Sequence, residues 1–362
     1  MKRLRPISIL AGWLMLTANA AAQISLTPPG AQTPPATTSK PAAKAKAKSP
    51  APARKPAAET AKPAPAPVAP AATATPAPAP APNDPNVDLV FGAYQRGQYK
   101  TAFDLASQRA RDNNDPKAMT MLGELYANAM GVKRDYAKAA DWYKRASDLG
   151  DREGMFALAM LRIAGRGGPV DREEAARLLA SSAKLGEPKA AYNLALLYID
   201  GQTLPQDLKR AAELLRVAAD AGNAEAQYAL ATFYKEGTGV EKDPEKAVRL
   251  LQAASLADNV DAEVEYAIAL FNGTGTPKNQ AAAVALLTKA ARQNSPIAQN
   301  RLAHVLVEGM GVPKDKIEGL KWHLVAKTAG KGDPMLDEAL ADLSPADRAK
   351  AEEGARRWLG AK

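Results

Sequence analysis

The side chains best suited to proton transfer or metal binding in this sequence are its two histidines, His304 and His323. Imidazole titrates near neutral pH and is also the commonest metal ligand. The sequence shows no carboxylates placed around the two histidines as a catalytic or metal site requires. His323 also falls at a repeated position that Tyr143 and Leu215 hold elsewhere, which indicates packing. The chain has no cysteine, so thiol catalysis and a disulfide scaffold are excluded. The sequence therefore predicts no enzyme, no catalytic residue, no metal site and no cofactor.

A second candidate for chemistry is a carboxylate or amide that recurs every 36 residues. Its members are Asp135, Asp171, Asp207, Asp243, Asn279 and Asp315. One such group per unit is too sparse for a metal site, whereas the side chain of an N-cap residue accepts from the free N–H groups of a helix. The glycine pairs before these residues resemble phosphate loops, but no Lys-Ser/Thr follows them. We therefore expect each group to begin a helix.

The elements that place these residues form a repeat in which no insertion or deletion breaks the register. Its six starting positions are Ala118, Gly154, Ala190, Ala226, Ala262 and Ala298. In the fourth unit, Ala226, Leu230 and Tyr234 form one stripe of a helix that stops at Gly237 and Gly239. A second helix follows. Counted from the starting position of the unit, it has a small residue at +21, a large one at +24 and a small one at +28, and a residue in the left-handed conformation ends it. Each unit is thus predicted to be helix, loop, helix, turn, and stacked units form a solenoid.

This pattern resembles the Sel-1-like repeat, a relative of the tetratricopeptide repeat. The stretch 226–239, AQYALATFYKEGTG, is the closest match, and the resemblance covers residues 118–333. Arg162, Gly319 and a missing second glycine in the third unit depart from the pattern. The resemblance implies an all-α, right-handed α-solenoid that binds proteins.

The sequence divides into five segments. They are a signal peptide (1–22), a Pro/Ala/Lys-rich disordered linker (23–85), a tetratricopeptide-like N-terminal hairpin (86–117), six repeats (118–333) and C-terminal capping helices (334–362). Asp333-Pro334, at the junction with the last segment, and Ser344-Pro345, within it, are typical helix starts.

The first segment has the basic start, short apolar run and small residues of a secretory signal peptide, with cleavage near Ala20 or Ala22. The alternative is an uncleaved anchor, but the apolar run is shorter than a membrane span. We expect a periplasmic or secreted protein of a Gram-negative bacterium, with no stable membrane span after cleavage.

Most of the net positive charge of the chain lies in the linker. The whole chain carries +9, but residues 23–82 hold seven basic residues against Glu59, and residues 83–362 hold 38 basic and 38 acidic residues. A nucleic-acid-binding domain would itself be basic, so no nucleic-acid partner is expected. The linker holds many of the prolines and favours extended polyproline II conformations. It is either a tether that brings the array near peptidoglycan or another envelope surface, or an inert spacer.

If the array binds a protein partner, the resemblance implies that the first helices line its inner face. On these helices the +3, +6 and +10 positions lie opposite the packed stripe. The candidate groove residues are Glu124, Asn128, Met160, Asn193, Leu196, Asp200, Thr232, Glu236, Ile268, Asn272, Arg301, His304 and Glu308. An apolar middle with a polar edge suits a peptide or helix laid in a groove. The alternative is a solvated face that varies freely.

Three functions follow from these features. The first is a protein-interaction scaffold or adaptor that regulates an envelope or signalling protein, since some periplasmic members of the family restrain sensor kinases. The second is an envelope-structural protein whose linker spans peptidoglycan. The third is a β-lactam-binding or β-lactam-hydrolysing enzyme, but the family members described in that way are rich in cysteine.

Overall fold

A computed structural model of the chain describes residues 88–360, and in that range all regular structure is helical. The expected signal peptide and the whole of the expected linker lie outside the described residues. The helices are α1 Leu89–Gln95, α2 Tyr99–Asp112, α3 Pro116–Asn128, α4 Tyr136–Asp148, α5 Arg152–Ala164, α6 Arg172–Lys184, α7 Pro188–Asp200, α8 Leu208–Asp220, α9 Ala224–Glu236, α10 Pro244–Leu256, α11 Val260–Asn272, α12 Gln280–Arg292, α13 Pro296–Glu308, α14 Lys316–Thr328, α15 Pro334–Ala341 and α16 Pro345–Leu359. None of the described helices is long and apolar enough to cross a membrane.

The repeating carboxylates and amides begin the second helices, as the spacing predicts. Asp243, for example, accepts a hydrogen bond of 2.9 Å from the backbone N–H of Lys246. The other five members of the series accept equivalent bonds at the start of α4, α6, α8, α12 and α14. The prediction that these groups are caps is confirmed, and the spacing alone was enough to make it.

Left-handed residues end the helices where the sequence places them. Glycines end five of the six first helices, and Ala129 takes the same conformation in the first unit with φ 58°. Asp258 and Asn294 adopt positive φ at the ends of α10 and α12. Aspartate is less suited to this conformation than glycine or asparagine, yet Asp258 adopts it with φ 59°.

Neighbouring helices pack in chain order, so each first helix of a repeat lies between its own second helix and the preceding one. The small residues at +21 are buried, as expected. The large residue that is most deeply buried lies at +25 rather than at the +24 position that the sequence favoured. This +25 series is Tyr143, Leu179, Leu215, Leu251, Leu287 and His323. His323 therefore occupies a core position, and its side chain has no exposed surface.

Two of the departures from the family pattern, Arg162 and Gly319, are accommodated by local contacts. Arg162 stands at +8, where three other repeats have a tyrosine, and its Nε donates to Glu174 over 2.6 Å. In the fourth unit the same two positions hold Tyr234 and Lys246, whose Nζ lies 5.3 Å from the ring centroid. At Gly319, a Cβ would lie 2.8 Å from Val307 Cγ2, which leaves no room for the usual alanine.

The C-terminal helices close the stack out of register. Repeat spacing would place the next N-cap at residue 331, but Asp333 begins α15. The following helix, α16, packs on α14, where the rings of Trp358 and Trp322 meet edge to face at 4.9 Å. The expected capping helices are therefore present.

Candidate partner-binding face

The candidate groove residues lie on one side of successive first helices, and we call this surface the first-helix face. Its outer row is the +10 position at the C-terminal end of each first helix. Its polar members, all of them exposed, are Asn128, Asp200, Glu236, Asn272 and Glu308. The row is polar in five of six repeats, and every one of these side chains is accessible to a partner.

Six further candidates are half-buried and form the floor of the face. They are Glu124, Met160, Asn193, Thr232, Ile268 and Arg301. This floor mixes apolar, amide and charged groups, so it offers both apolar contact and hydrogen bonds.

Two candidates do not belong to the accessible surface. Leu196 and His304 are each 5% exposed. A first helix packs against two second helices, so its buried arc is wider than the 0, +4, +8 stripe that was used to choose the face. In α7 that arc extends to Leu196, while His304 is in addition bonded to α15.

At the N-terminal end of the face, Glu124 is held in place by two neighbours. Tyr143 Oη donates to Glu124 Oε2 over 3.1 Å, and Asn128 Nδ2 donates to Glu124 Oε1 over 2.6 Å. Burial, followed by the charge of Glu124, raises the pKa of Tyr143. The phenol thus stays protonated and remains a donor, which fixes the carboxylate.

In the fourth and fifth repeats the face is acidic. Burial, followed by the charges of Glu265, Asp261 and Glu236, raises the pKa of Tyr228. Lys235 Nζ lies 3.1 Å from Glu265 Oε2 and offsets part of this negative charge.

Sequence reasoning missed the tyrosines at +2, which contribute to the same surface. Tyr192 and Tyr228 occupy this position in consecutive repeats and are half-buried. Burial raises the pKa of Tyr192, and the charge of Glu225 in the next repeat raises it further. The signal available in the sequence was the repetition of an aromatic residue one position before the chosen +3 row.

At the C-terminal end, each histidine pairs with a carboxylate of α15. The Nε2 atom of His304 lies 2.9 Å from Asp333 Oδ2, and that of His323 lies 2.8 Å from Asp337 Oδ1. Lys327 Nζ also reaches Asp337 Oδ1, at 2.7 Å. The repeat spacing places no carboxylate near these histidines, because α15 departs from the repeat register. Each pair joins the last repeat to the capping helix.

The side chains of the face are of types that can make hydrogen bonds and apolar contacts. Between residues 88 and 360, no three histidine, aspartate or glutamate side chains come close enough together to hold a metal ion. What the face offers is accessible amides and carboxylates, half-buried tyrosines and an apolar floor. A stack of helix hairpins with such a surface defines a class of protein, the α-solenoid scaffold.

Within that class the chain belongs to a particular family. The Sel1 repeat model matches residues 116–151, 152–187, 188–223, 224–259, 260–295 and 296–331. The chain is therefore a Sel1 repeat protein, and proteins of this family are in general non-enzymatic scaffolds for protein interactions. The resemblance that the sequence suggested is confirmed, and so is the all-helical solenoid.

Solved structures with the same repeat support the fold. A Sel1 repeat protein from Oxalobacter formigenes is 26% identical, with a TM-score of 0.60 over 66% of this chain and 98% of that one. The protein c5321, a protective antigen of uropathogenic Escherichia coli strains with an SLR fold, is 24% identical with a TM-score of 0.52. That match covers 74% of this chain and 67% of the other. A search of curated proteins finds no significant match.

Proposed function

We propose that this protein is a periplasmic adaptor that binds one envelope or signalling protein through its first-helix face. The family supports the general role of a protein-interaction scaffold. The observation that carries the choice of surface is the exposed +10 row. It repeats along consecutive first helices beside a half-buried floor that holds apolar as well as polar residues.

The periplasmic location rests on the N-terminal sequence. Basic residues, a short apolar run and the small residues around Ala20 and Ala22 match a cleaved secretory signal. Sequencing of the N-terminus of the mature protein from a periplasmic fraction tests this part of the proposal. We expect cleavage near Ala20 or Ala22, and an intact N-terminus in the cytoplasmic fraction would refute it.

The binding surface is tested by photocrosslinking in cells. A photoreactive amino acid at Asn128 or Asn272 lies on the outer row of the face, in the first and fifth repeats respectively. Gln252, which is exposed on the second helix α10, is the matched control. We expect the same envelope protein to be captured from both face positions and not from Gln252.

Two results would contradict the proposal. Equal capture from Gln252 and from the face positions would mean that the face has no special role. Capture from linker positions alone would assign binding to the linker and would favour the envelope-structural function.

A further inference from the structure

The loop of the third repeat lacks the second glycine that the other five loops share. At this +13 position those loops have glycines with positive φ, namely Gly131, Gly167, Gly239, Gly275 and Gly311. A Cβ on any of them would lie 2.2–2.7 Å from an atom of the preceding hairpin. The third repeat has Thr203 instead, and its side chain leaves no room for that close approach.

The backbone of the third loop is different as a result. Thr203 is not among the residues with positive φ. In the fourth repeat, the Thr238 N–H donates to the Phe233 carbonyl over 3.0 Å, and the same bond recurs in the four other loops that have the glycine. In the third loop the equivalent N–H, of Gln202, donates to the carboxylate of Asp200. One of the bonds that end the first helix elsewhere is therefore replaced in this repeat.

A cleft of about 320 Å³ lies between this loop and α6. Its walls include Ala176 and Ala180 of α6 and Leu204 of the loop, and Leu194 and Tyr198 of α7 form its floor. The two floor residues hold the +4 and +8 positions of the packed stripe, not the +3, +6 and +10 positions of the first-helix face. The cleft is therefore a separate surface with a largely apolar interior.

The equivalent cleft two repeats further on shows what the glycine does. It lies between α10 and the fifth loop, and the residues that line it belong to those two elements alone. A Cβ on Gly275 would lie 2.3 Å from the carbonyl oxygen of Pro244, so this loop lies directly against α10. The equivalent floor positions hold Tyr266 and Leu270, which do not line the cleft. Glycine thus covers the first helix, whereas Thr203 leaves it open.

Thr203 carries a cost that the fold does not require. Its hydroxyl oxygen is buried and has no hydrogen-bond partner among the described residues. A buried hydroxyl without a partner is destabilising, and the glycine of the other five repeats avoids that cost. A position that departs from the local pattern at a cost in stability is typical of a functional site. The feature that this departure creates is the open cleft.

The rim of the cleft has a positive excess. Glu173 and Arg177 line the cleft, and both are exposed. The guanidinium carbon of Arg210 lies 5.1 Å from the centroid of the Tyr198 ring. Among the described residues neither arginine forms an ion pair, so two guanidinium groups stand against one carboxylate. This excess favours an anionic group at the rim over a cationic one.

We propose that this cleft docks a segment of a partner protein in which an aliphatic side chain stands next to a carboxylate. The aliphatic side chain enters between α6 and the loop and lies on Leu194 and Tyr198. The carboxylate then lies at the rim, beside Arg177 and Arg210. The volume is at the lower end of the range for ligand sites, about 300–1,000 Å³, so the cleft accepts a single side chain rather than a whole helix. This site is independent of the partner proposed for the first-helix face.

Binding is tested by titrating the full chain with the N-acetylated, C-amidated tetrapeptide Ala-Leu-Asp-Ala and following methyl resonances by NMR. We expect saturable shifts for Leu194 and Leu204 and none for Val248 and Thr276 of the equivalent cleft. Replacing the leucine of the peptide with alanine should weaken binding roughly tenfold, because most of the apolar contact is lost. Replacing its aspartate with asparagine should weaken binding about two- to fivefold, which is the usual contribution of an exposed ion pair.

Two substitutions at Thr203 separate the shape of the loop from its hydroxyl group. Thr203→Gly restores the residue that the other loops have, so the loop should close over Leu194 and peptide binding should be lost. Thr203→Val keeps the shape and removes only the unpaired hydroxyl, so binding should persist while the melting temperature rises by roughly 2–4 °C.

A plug in the cleft supplies a matched pair of variants. Ala180→Phe places a ring over the cleft from an exposed position of α6, so it should prevent peptide binding with little change in the melting temperature. Gln252→Phe makes the same kind of change at the equivalent, exposed position of α10 and should leave binding intact. Arg177→Ala should weaken binding of the aspartate peptide about two- to fivefold and should have no further effect on the asparagine peptide.

Four results would overturn the proposal. They are the absence of saturable shifts at millimolar peptide concentrations, equal binding of the leucine and alanine peptides, equal loss of binding in Ala180→Phe and Gln252→Phe, and undiminished binding in Thr203→Gly. Hexanoate has an apolar chain and a carboxylate but no peptide group, so it should bind more weakly than the peptide. Equal binding of hexanoate would overturn the assignment of the cleft to a protein segment.

Discussion

The most specific structural prediction concerns Gly239, the second glycine in the loop of the fourth repeat, because this residue contacts the preceding repeat. Gly239 has φ +65°, and a Cβ built on it would lie 2.2 Å from the carbonyl oxygen of Leu208 in α8. Gly237, two residues earlier, has φ +80°, but its Cβ would lie 3.4 Å from Lys242 Cβ, an ordinary contact. Both positions carry the backbone cost of a left-handed residue, and only Gly239 adds a clash with backbone.

The two substitutions to alanine should therefore differ. Gly237→Ala should cost about 1 kcal/mol, because the left-handed conformation costs about 1–2 kcal/mol and the loss of glycine entropy in the unfolded chain returns part of it. The first repeat already has Ala129 at this position with φ 58°. Gly239→Ala should cost about 2–4 kcal/mol in unfolding free energy. The backbone must shift to relieve the clash with Leu208, and this adds the usual cost of overpacking to that of the left-handed conformation.

Chemical unfolding followed by circular dichroism measures the total effect. Hydrogen exchange in α8 and in the loop of the fourth repeat locates it, which matters because repeat arrays open locally. The reasoning is refuted if the alanine variants of Gly239 and Gly237 lose equal stability, since contact between repeats would then contribute nothing at this position.

Three other predictions concern single contacts. Glu174→Ala should cost about 1–2 kcal/mol in unfolding free energy, because it leaves a half-buried Arg162 without its carboxylate, and the double change to tyrosine and lysine should recover most of that loss. Burial raises the pKa of Asp333, but the hydrogen bond from His304 outweighs it and holds that pKa below its ordinary value. The stability that this carboxylate contributes to the folded chain is therefore present above about pH 4 and is lost as the pH falls further. Asp333→Asn should make the hydrogen exchange of α15 less dependent on acid pH. Trp358→Ala should cost about 2 kcal/mol and shift the fluorescence of the remaining tryptophan in α14, since it removes an edge-to-face ring contact and opens the end of the stack. Unchanged exchange, unfolding or fluorescence would contradict the corresponding prediction.

The sequence alone predicted the repeat, the helix starts and the helix ends, because all three depend on residue types at fixed spacing. It did not predict the partners of the two histidines. Asp333 and Asp337 belong to a helix that begins two residues out of register, so no alignment of the repeats brings them opposite His304 and His323. The candidate face was predicted in part: its outer row is exposed, but Leu196 lies inside because the periodicity of one helix does not show how many neighbours it has.

The variation between repeats separates positions that hold the stack together from positions that are free to bind. Tyr234 and Lys246 make a cation–π contact in the fourth repeat, while Arg162 and Glu174 make an ion pair at the same two positions in the second. The chemistry differs, yet both pairs link the first helix to the second, so these positions conserve a contact rather than a residue type. The exposed +10 row is under no such requirement, because its side chains are accessible and lie outside the packed stripe. Changes along that row, such as Asn272→Ala, should therefore alter partner capture with little effect on unfolding, whereas a change at Glu174 should alter unfolding first.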